Sequence, residues 1–532
     1  MMQQEKKINL HNPILYAAII GIGMFLGFKM KSTLLHGENT DSGGGRIDEI
    51  MSLVKNNYVD SVGTDSVEAK AIDNLLSQLD PHSVYITPAD LKGVDEDLEG
   101  EFDGIGIEYF LQKDTLMVTS VIAGGPSAEA GIQTGDKFIK VNDSIIAGKK
   151  LSTEALVKNL RGASGTKAKI TLLRNNKAIN EITITRGKIP MYSIDAAYMM
   201  NATTGYIKIN RFSATTYKEF MAKMELLKNA GMKKLLLDVR DNPGGFLEIA
   251  VQILDELIAG KKKIVYTKGR DRKSETLSAY KDGIFEVGKI VVLIDEGSAS
   301  AAEIVSGALQ DYDRATLVGR RTFGKGLVQE QFPLANGGAL RLTVARYYIP
   351  SGRCIQKDYS HGKELYMEDV MDRYKHGELV NKDSITFKDT TVYKTMGGRR
   401  VYGGGGISPD VFVPLNDNKY SKNLGEVLGT GYLTEIVNDY FVANKEKLKL
   451  FPAVGDLIKN YTVDTKILGD LQKRCAADRI TAICLANAND KQLITTRIKA
   501  QLAKALYGAA AQYQVYNAAD EMVKIAMQEM DK

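Results

Sequence analysis

Apolar positions recur along this chain at three different spacings, and each predicts a different kind of element. Residues 46–80 place Ile47, Ile50, Leu53 and Val54, then Ala71, Leu75, Leu76 and Leu79, at helical intervals. The pattern predicts helices that stop at the Asp80-Pro81 turn. From 102 to 186 the runs are short and alternating, as in 169–173 and 181–185, with Gly104, Gly106, Gly124, Gly125, Gly131 and Gly135 between them. These read as half-buried strands with one or two helices. From about 190 the strands become continuous apolar runs, 234–239 and 290–294, as expected where both faces of a sheet are covered. Each run leads through a Gly-containing turn into a helical pattern, 247–257 and 301–309, which implies an α/β core with crossover units. After about 418 the chain reads helical, polar and Ala-rich to its end.

One further apolar run changes the expected address. Residues 13–28, PILYAAIIGIGMFLGF, carry no charge and are flanked by Lys6, Lys7, Lys29 and Lys31. As a helix they rise ~24 Å against a hydrocarbon core of ~30 Å. No small-residue cleavage pattern and no lipobox Cys follows, so an uncleaved membrane anchor is the better reading than a signal peptide. Residues 37–45, ENTDSGGGR, read as a linker after it.

Composition narrows the class. The 532 residues suggest about three to four domains. Seventy basic against 65 acidic residues leave +5, too little over this length to indicate nucleic-acid binding. Three Cys without CxxC spacing and five scattered His offer neither a disulfide scaffold nor a zinc site. Cys475 and Cys484 could pair or stand as separate thiols.

Three turns compete for the chemistry. The segment 319–326, GRRTFGKG, is one residue short of a phosphate-binding loop, because Gly326 stands where a magnesium-binding hydroxyl is needed. In 297–304, GSASAAEI, a Ser sits between a buried strand and a helix, where amide groups could bind an oxyanion; taken alone, the segment favours a plain helix cap by Ser298. In 238–245, DVRDNPGG, adjacent glycines end a strand, where backbone amides could face a substrate; taken alone, the segment favours a simple tight turn. Together the three would supply a nucleophile, amide donors and a lysine between two glycines. None holds a His, and His82, in DPHS, looks like part of a helix-ending turn. The base would then be Lys325, which needs its pKa lowered by roughly three units, on the order of 4 kcal/mol of desolvation.

These segments, with 79–85 (LDPHSVY), 102–107 (FDGIGI), 308–311 (ALQD) and 322–329 (TFGKGLVQ), resemble the carboxy-terminal processing, or tail-specific, proteases, a Ser/Lys peptidase family. The resemblance runs from about 46 to 415. It implies a multi-domain α/β and α+β architecture, in which a Clp-protease/crotonase-like α/β core carries an inserted PDZ domain between a helical N-terminal segment and a helical C-terminal extension. The expected division is 1–36 for a cytoplasmic tip and anchor helix, 37–98 for linker and helices, 99–187 for the PDZ domain, 188–417 for the protease core and 418–532 for the extension.

By the same resemblance Ser300 is the nucleophile, standing 25 positions before Lys325 as in the family, and Ser298 is structural. Lys325 is the base and Gln329 orients it. The backbone amides of Gly244, Gly245 and Ala301 form the oxyanion hole, and those of Gly104, Ile105, Gly106 and Ile107 receive a terminal carboxylate beside a strand edge. Ala302 departs from the family, which often has Ser there; the position is not the nucleophile's. Arg161 reads either as a ligand sensor or as a solvated surface residue. The implied function is a membrane-anchored, extracytoplasmic (periplasmic) serine endopeptidase that captures unstructured apolar C-terminal tails and cleaves through an acyl-enzyme. No metal, nucleotide or other cofactor and no nucleic acid is implied. Expected partners are protein substrates with free C-terminal tails and the membrane, with a homo-oligomer or an adaptor protein left open. The alternative is a non-catalytic or latent PDZ scaffold that binds tails without cutting.

Overall fold

The computed structural model describes residues 43–532, apart from 62, 176, 272, 387–388, 416–418 and 481–484. The chain divides into two compact units at Leu75/Leu76. In the first, the helix Gly43–Asn57 begins inside the stretch read as a linker. Its Ile47, Ile50 and Leu53 are exposed, so the helical periodicity there marks a face without a core of its own.

The expected membrane location is corrected. Among the described residues no helix is long and apolar enough to cross a membrane. The run 13–28, on which the anchor rested, lies outside the described residues, as does Cys484.

The second unit is a multi-domain α/β and α+β assembly. One five-strand path runs in order through β1 (Ile107–Gln112), β2 (Thr115–Val121), β3 (Lys137–Val141), β4 (Lys167–Arg174) and β5 (Lys177–Thr185), leaving β1 at an edge. With the helix α1 (Thr153–Leu160) it encloses Val118, Phe138, Val141, Leu156, Ile170, Leu172 and Ile184. The flanking strands Glu101–Gly104 and Gly187–Pro190 pair with each other, so this module enters and leaves the chain at one stem.

The central sheet has the order β6 (Ile194–Met199), β7 (Thr204–Ile209), β8 (Lys234–Asp238), β9 (Lys289–Ile294), β10 (Ala315–Gly319), β11 (Val411–Phe412). All its pairs are parallel except β6 with β7. Successive strand residues face opposite ways. Leu235, Leu237, Ile290 and Val292 therefore pack under the crossover helices α2 (Thr216–Asn229), α3 (Leu247–Asp255) and α4 (Ala301–Asp311). Leu236, Val291, Leu293 and Val318 point to the other face. Because both faces are dry, the runs are continuous in the sequence.

An antiparallel sheet built on the strands Leu327–Pro333 and Ala339–Tyr348 lies beside this core and also takes in Val84–Ile86. The helix α5 (Lys363–Lys375) follows it. From Leu424 the described chain is helical. The helices α6 (Tyr432–Leu448), α7 (Thr465–Ala477) and α8 (Ala488–Tyr507) share a core of their own that includes Val437, Phe441, Leu471, Ile494 and Ile498. The helices α9 (Ala509–Ala519) and α10 (Glu521–Asp531) continue from it.

Candidate active site

The strands β8, β9 and β10 end side by side, so the three turns singled out in the sequence leave the same edge of the parallel sheet. After β8, Asp238 is fully buried and receives the Arg240 fork, with Nη2 at 2.6 Å and Nε at 3.0 Å. Burial works against its charge, but Arg240 and Lys208 outweigh burial and hold its carboxyl well below the usual carboxylate range. Asn242 then locks the turn: its Nδ2 donates to Ile209 O at 2.9 Å, its Oδ1 accepts Gly244 N–H at 2.8 Å, and its carbonyl accepts Ala299 N–H at 2.8 Å. Gly244 has φ +101° and Gly245 φ +143°. A Cβ on Gly244 would lie 2.7 Å from Ser300 Cβ, and one on Gly245 would lie 2.1 Å from Phe212 O, so only glycine fits either place. The Gly244 amide is thus already bonded. Among the described residues the Gly245 and Ala301 amides have no hydrogen-bond partner.

After β9, Ser298 is fully buried; its hydroxyl donates to Val239 O at 2.8 Å and accepts Asp295 N–H at 3.0 Å. It fastens two turns together. Ser300, half-buried, opens α4 with φ +54° and ψ −114°. That conformation belongs to the first central residue of a type II′ turn, a place where glycine is preferred. Ser300 and Glu303 form a capping box at this helix start. One turn into α4, the fully buried Glu303 collects four donors. Its Oε2 accepts Ser300 N–H at 2.9 Å and Lys325 N–H at 2.8 Å; its Oε1 accepts Thr322 Oγ1–H at 2.5 Å and Gly324 N–H at 2.7 Å. Burial pushes this carboxyl up to about 7, against the pull of those donors. From the other side the buried Tyr347 Oη donates to Ser300 O at 3.1 Å and to Lys325 O at 2.5 Å. Glu303 and Tyr347 therefore tie the backbones of Ser300 and Lys325 together at both their N–H and their C=O groups.

Lys325 Nζ donates to Gln329 Oε1 at 3.1 Å, and Gln329 Nε2 donates to His82 O at 2.6 Å. Burial, then the charge of Arg341, pushes the Lys325 ammonium down from its ordinary value, while Glu303 and Asp80 oppose them. No hydrogen bond joins Lys325 Nζ to Ser300 Oγ among the described residues. His82 is held down to about 4, by burial first and by Lys325 next, and its Nε2 pairs with Tyr366 Oη at 2.8 Å. Asp80 shapes this segment by accepting His82 N–H, Ser83 N–H and Thr343 Oγ1–H at 2.8, 2.9 and 3.0 Å. The DPHS stretch so acts through its backbone, as the platform for Gln329.

In the other module, Gly104 belongs to the stem, Ile105 is buried and Ile107 packs against the core. Gly106 takes φ +77° and its carbonyl accepts Ile122 N–H at 3.1 Å. Ile107 starts the edge strand β1. Arg161, at the end of α1, pairs with Glu96 at 2.5 Å and lies 4.5 Å above the Phe102 ring, so it is partnered rather than simply solvated. Among the described residues no group of three or more His, Cys, Asp or Glu could hold a metal ion. Glu303, Tyr347 and Asn242 are the site residues that sequence reasoning missed. Glu303 and Asn242 stand inside the quoted motifs, whereas Tyr347 has no local signal.

Residues 203–362 match the model of peptidase family S41, residues 104–184 that of the PDZ domain, and residues 423–508 that of a family of unknown function, DUF8443. The chain is 33% identical over 380 residues to a probable CtpA-like serine protease of Staphylococcus aureus (strain COL), covering 70% of this chain and 74% of that one. It is 37% identical over 327 residues to the carboxy-terminal-processing protease of Bartonella bacilliformis, covering 60% and 74%. The solved photosystem II D1 C-terminal processing protease is similar at 22% identity and a TM-score of 0.35, over 70% of this chain and 87% of its own.

Proposed function

The chain belongs to peptidase family S41 as a carboxy-terminal-processing serine protease, and from that premise we propose that it works through a Ser300–Lys325 dyad on proteins with unstructured, apolar C-terminal tails. The observation that carries this reading is the double tie of Ser300 to Lys325 through Glu303 and Tyr347. The Ser300 hydroxyl at a helix amino terminus and the lowered Lys325 pKa support it.

In the reaction, Ser300 Oγ attacks the scissile carbonyl carbon as neutral Lys325 Nζ takes its proton. The resulting oxyanion is received by the Gly245 and Ala301 amides, while Gly244 shapes the turn. The C–N bond breaks as Lys325 returns the proton to the leaving amine, leaving an acyl-enzyme. Water then attacks the ester, giving its proton to Lys325, and Ser300 departs with that proton. Gln329, fixed on His82 O, keeps Nζ within reach of the nucleophile. The PDZ module, 99–187, holds the tail: its carboxylate meets the 104–107 loop and its backbone extends along the edge of β1. The core is 188–417 and the extension 418–532.

A latent form is the second reading, favoured by Lys325 Nζ bonding to Gln329 instead of Ser300. The test uses the protein with a globular substrate bearing a floppy apolar tail, cleavage being followed by mass spectrometry. Ser300→Ala and Lys325→Ala should abolish cleavage and Ser298→Ala should retain it. Loss with Ser298→Ala alone would overturn the assignment, and tail binding without cleavage by the wild type would favour the latent or scaffold reading.

A further inference from the structure

The last two helices lie beyond residue 508, where the match to the family of unknown function ends. The first, α9, packs its Ala511 and Val515 into the core of the helical bundle, and α10 returns to the catalytic sheet. Met522, Val523, Ala526 and Met530 of α10 pack on Tyr206, Leu236, Val291, Leu293 and Val318, covering the face that α2–α4 leave open. Polar contacts accompany them. Tyr513 Oη donates to Asp195 Oδ2 at 2.7 Å, Asn517 Nδ2 to Tyr198 Oη at 2.7 Å, and Lys234 Nζ to Met530 O at 2.8 Å.

One of these contacts reaches the turn that carries Gly245. Asp520 caps α10, and it divides its oxygens between two tasks. Oδ1 accepts the Met522 and Val523 amides at 2.8 and 3.3 Å, and Oδ2 accepts Arg240 Nη1–H at 2.6 Å. Arg240 stands five residues before Gly245. Its Nε and Nη2 donate to Asp238, and its carbonyl accepts Lys208 Nζ. The guanidinium is thus gripped from the strand end on one side and from the C-terminal helix on the other, with little exposure to solvent. Two residues on, Asn242 fixes the position of Gly244 and receives Ala299. A rotation of Arg240 would pass along this rigid turn to the Gly245 amide.

We infer that Asp520 is a positioning residue for the protease reaction: through Arg240 it sets the direction of the Gly245 N–H, so the C-terminal helix is part of the frame of the active site. This rests on the reading of Gly245 and Ala301 as the oxyanion donors.

Asparagine separates the two tasks of Asp520 in the full-length protein. It caps a helix as well as aspartate does, but with a single oxygen it must present its amide NH2, a donor, to Arg240 while it caps. Asp520→Asn is expected to keep the thermal midpoint within about 2 °C and KM within about twofold, and to lower kcat about tenfold. Asp520→Glu, which retains both oxygens, should recover most of that loss. A peptidyl boronate, whose tetrahedral adduct on Ser300 places an oxygen where the oxyanion forms, should bind the wild type tightly and Asp520→Asn about tenfold more weakly. Full kcat and full boronate affinity in Asp520→Asn would overturn the inference, as would a kcat loss that merely follows a lowered midpoint. A wild type that gains nothing from the boronate would overturn instead the oxyanion reading beneath it.

Discussion

Each oxygen of Glu303 accepts two hydrogen bonds, and three of the four donors are backbone amides that cannot turn away. An amide in its place has one acceptor and presents an NH2 group to the other pair. Buried donors left without partners cost ~1–3 kcal/mol each, so Glu303→Gln should destabilise the protein and lower activity on the order of 100-fold by releasing the Lys325 loop. Protonated Glu303 holds the loop less firmly, because one oxygen now carries an O–H, but unlike an amide NH2 that oxygen can still accept a hydrogen bond. With the carboxyl raised to about 7, wild-type activity should fall as pH drops through neutrality, in the same direction as protonation of Lys325. The activity of Glu303→Gln should stay low at every pH, measured as kcat against pH. Stability runs the other way. A carboxyl whose folded pKa is raised contributes stability at low pH, and that contribution is lost as pH rises from about 4.5 to about 7. The advantage of wild type over Glu303→Gln in denaturant unfolding should therefore shrink by up to roughly 3 kcal/mol between pH 5 and pH 8. An advantage that is constant with pH would show that Glu303 does not titrate there.

At the scale of single elements, the turn into α4 holds its serine in a conformation that side chains avoid, at a cost of about 1–3 kcal/mol. Ser300→Gly and Ser300→Ala should both be inactive, but the glycine form should be more stable, by about 1 kcal/mol in chemical denaturation. Equal stabilities would mean that the turn relaxes in the free protein. This turn was legible in the sequence because its serines and the helix that follows are contiguous, and its geometry follows from the strand that precedes it. The β8 and β9 strands were legible for a related reason: burial on both faces leaves an unbroken apolar run. What the sequence could not disclose was whatever depends on distant pairing. Tyr347 reaches Ser300 from a strand 47 residues away, through a register that no local pattern encodes. His82 reads in the sequence as part of a helix-ending turn, yet it serves Gln329 through its carbonyl, a group that every residue carries. Likewise the polar, Ala-rich helical stretch after 418 carries no local sign of the partners it packs on.

Those partners decide how the whole molecule holds together. The C-terminal extension touches the PDZ module, where Lys504 pairs with Glu108 at 2.7 Å and Gln112 donates to Asp439 at 2.8 Å, both on the edge strand β1. Through α10 it also forms the second layer of the catalytic sheet. Removing residues 509–532 would bare Leu236, Val291, Leu293 and Val318, none of them exposed in the intact protein. Burying one side chain of Val or Met size is worth ~1.5–3 kcal/mol, so the loss of Met522, Val523 and Met530 alone removes on the order of 5 kcal/mol. That is comparable with the whole stability of many domains, at about 5–15 kcal/mol. The truncated protein should bind hydrophobic dye, aggregate in size-exclusion chromatography and lose its cooperative melt. Met522→Ala should be milder, costing about 2–5 kcal/mol while leaving a folded monomeric core. If the truncated chain stayed soluble with an unchanged melt, α10 would be an appendage to the sheet instead of one of its layers, and the tie from Asp520 to Arg240 would have to hold without the apolar packing around it.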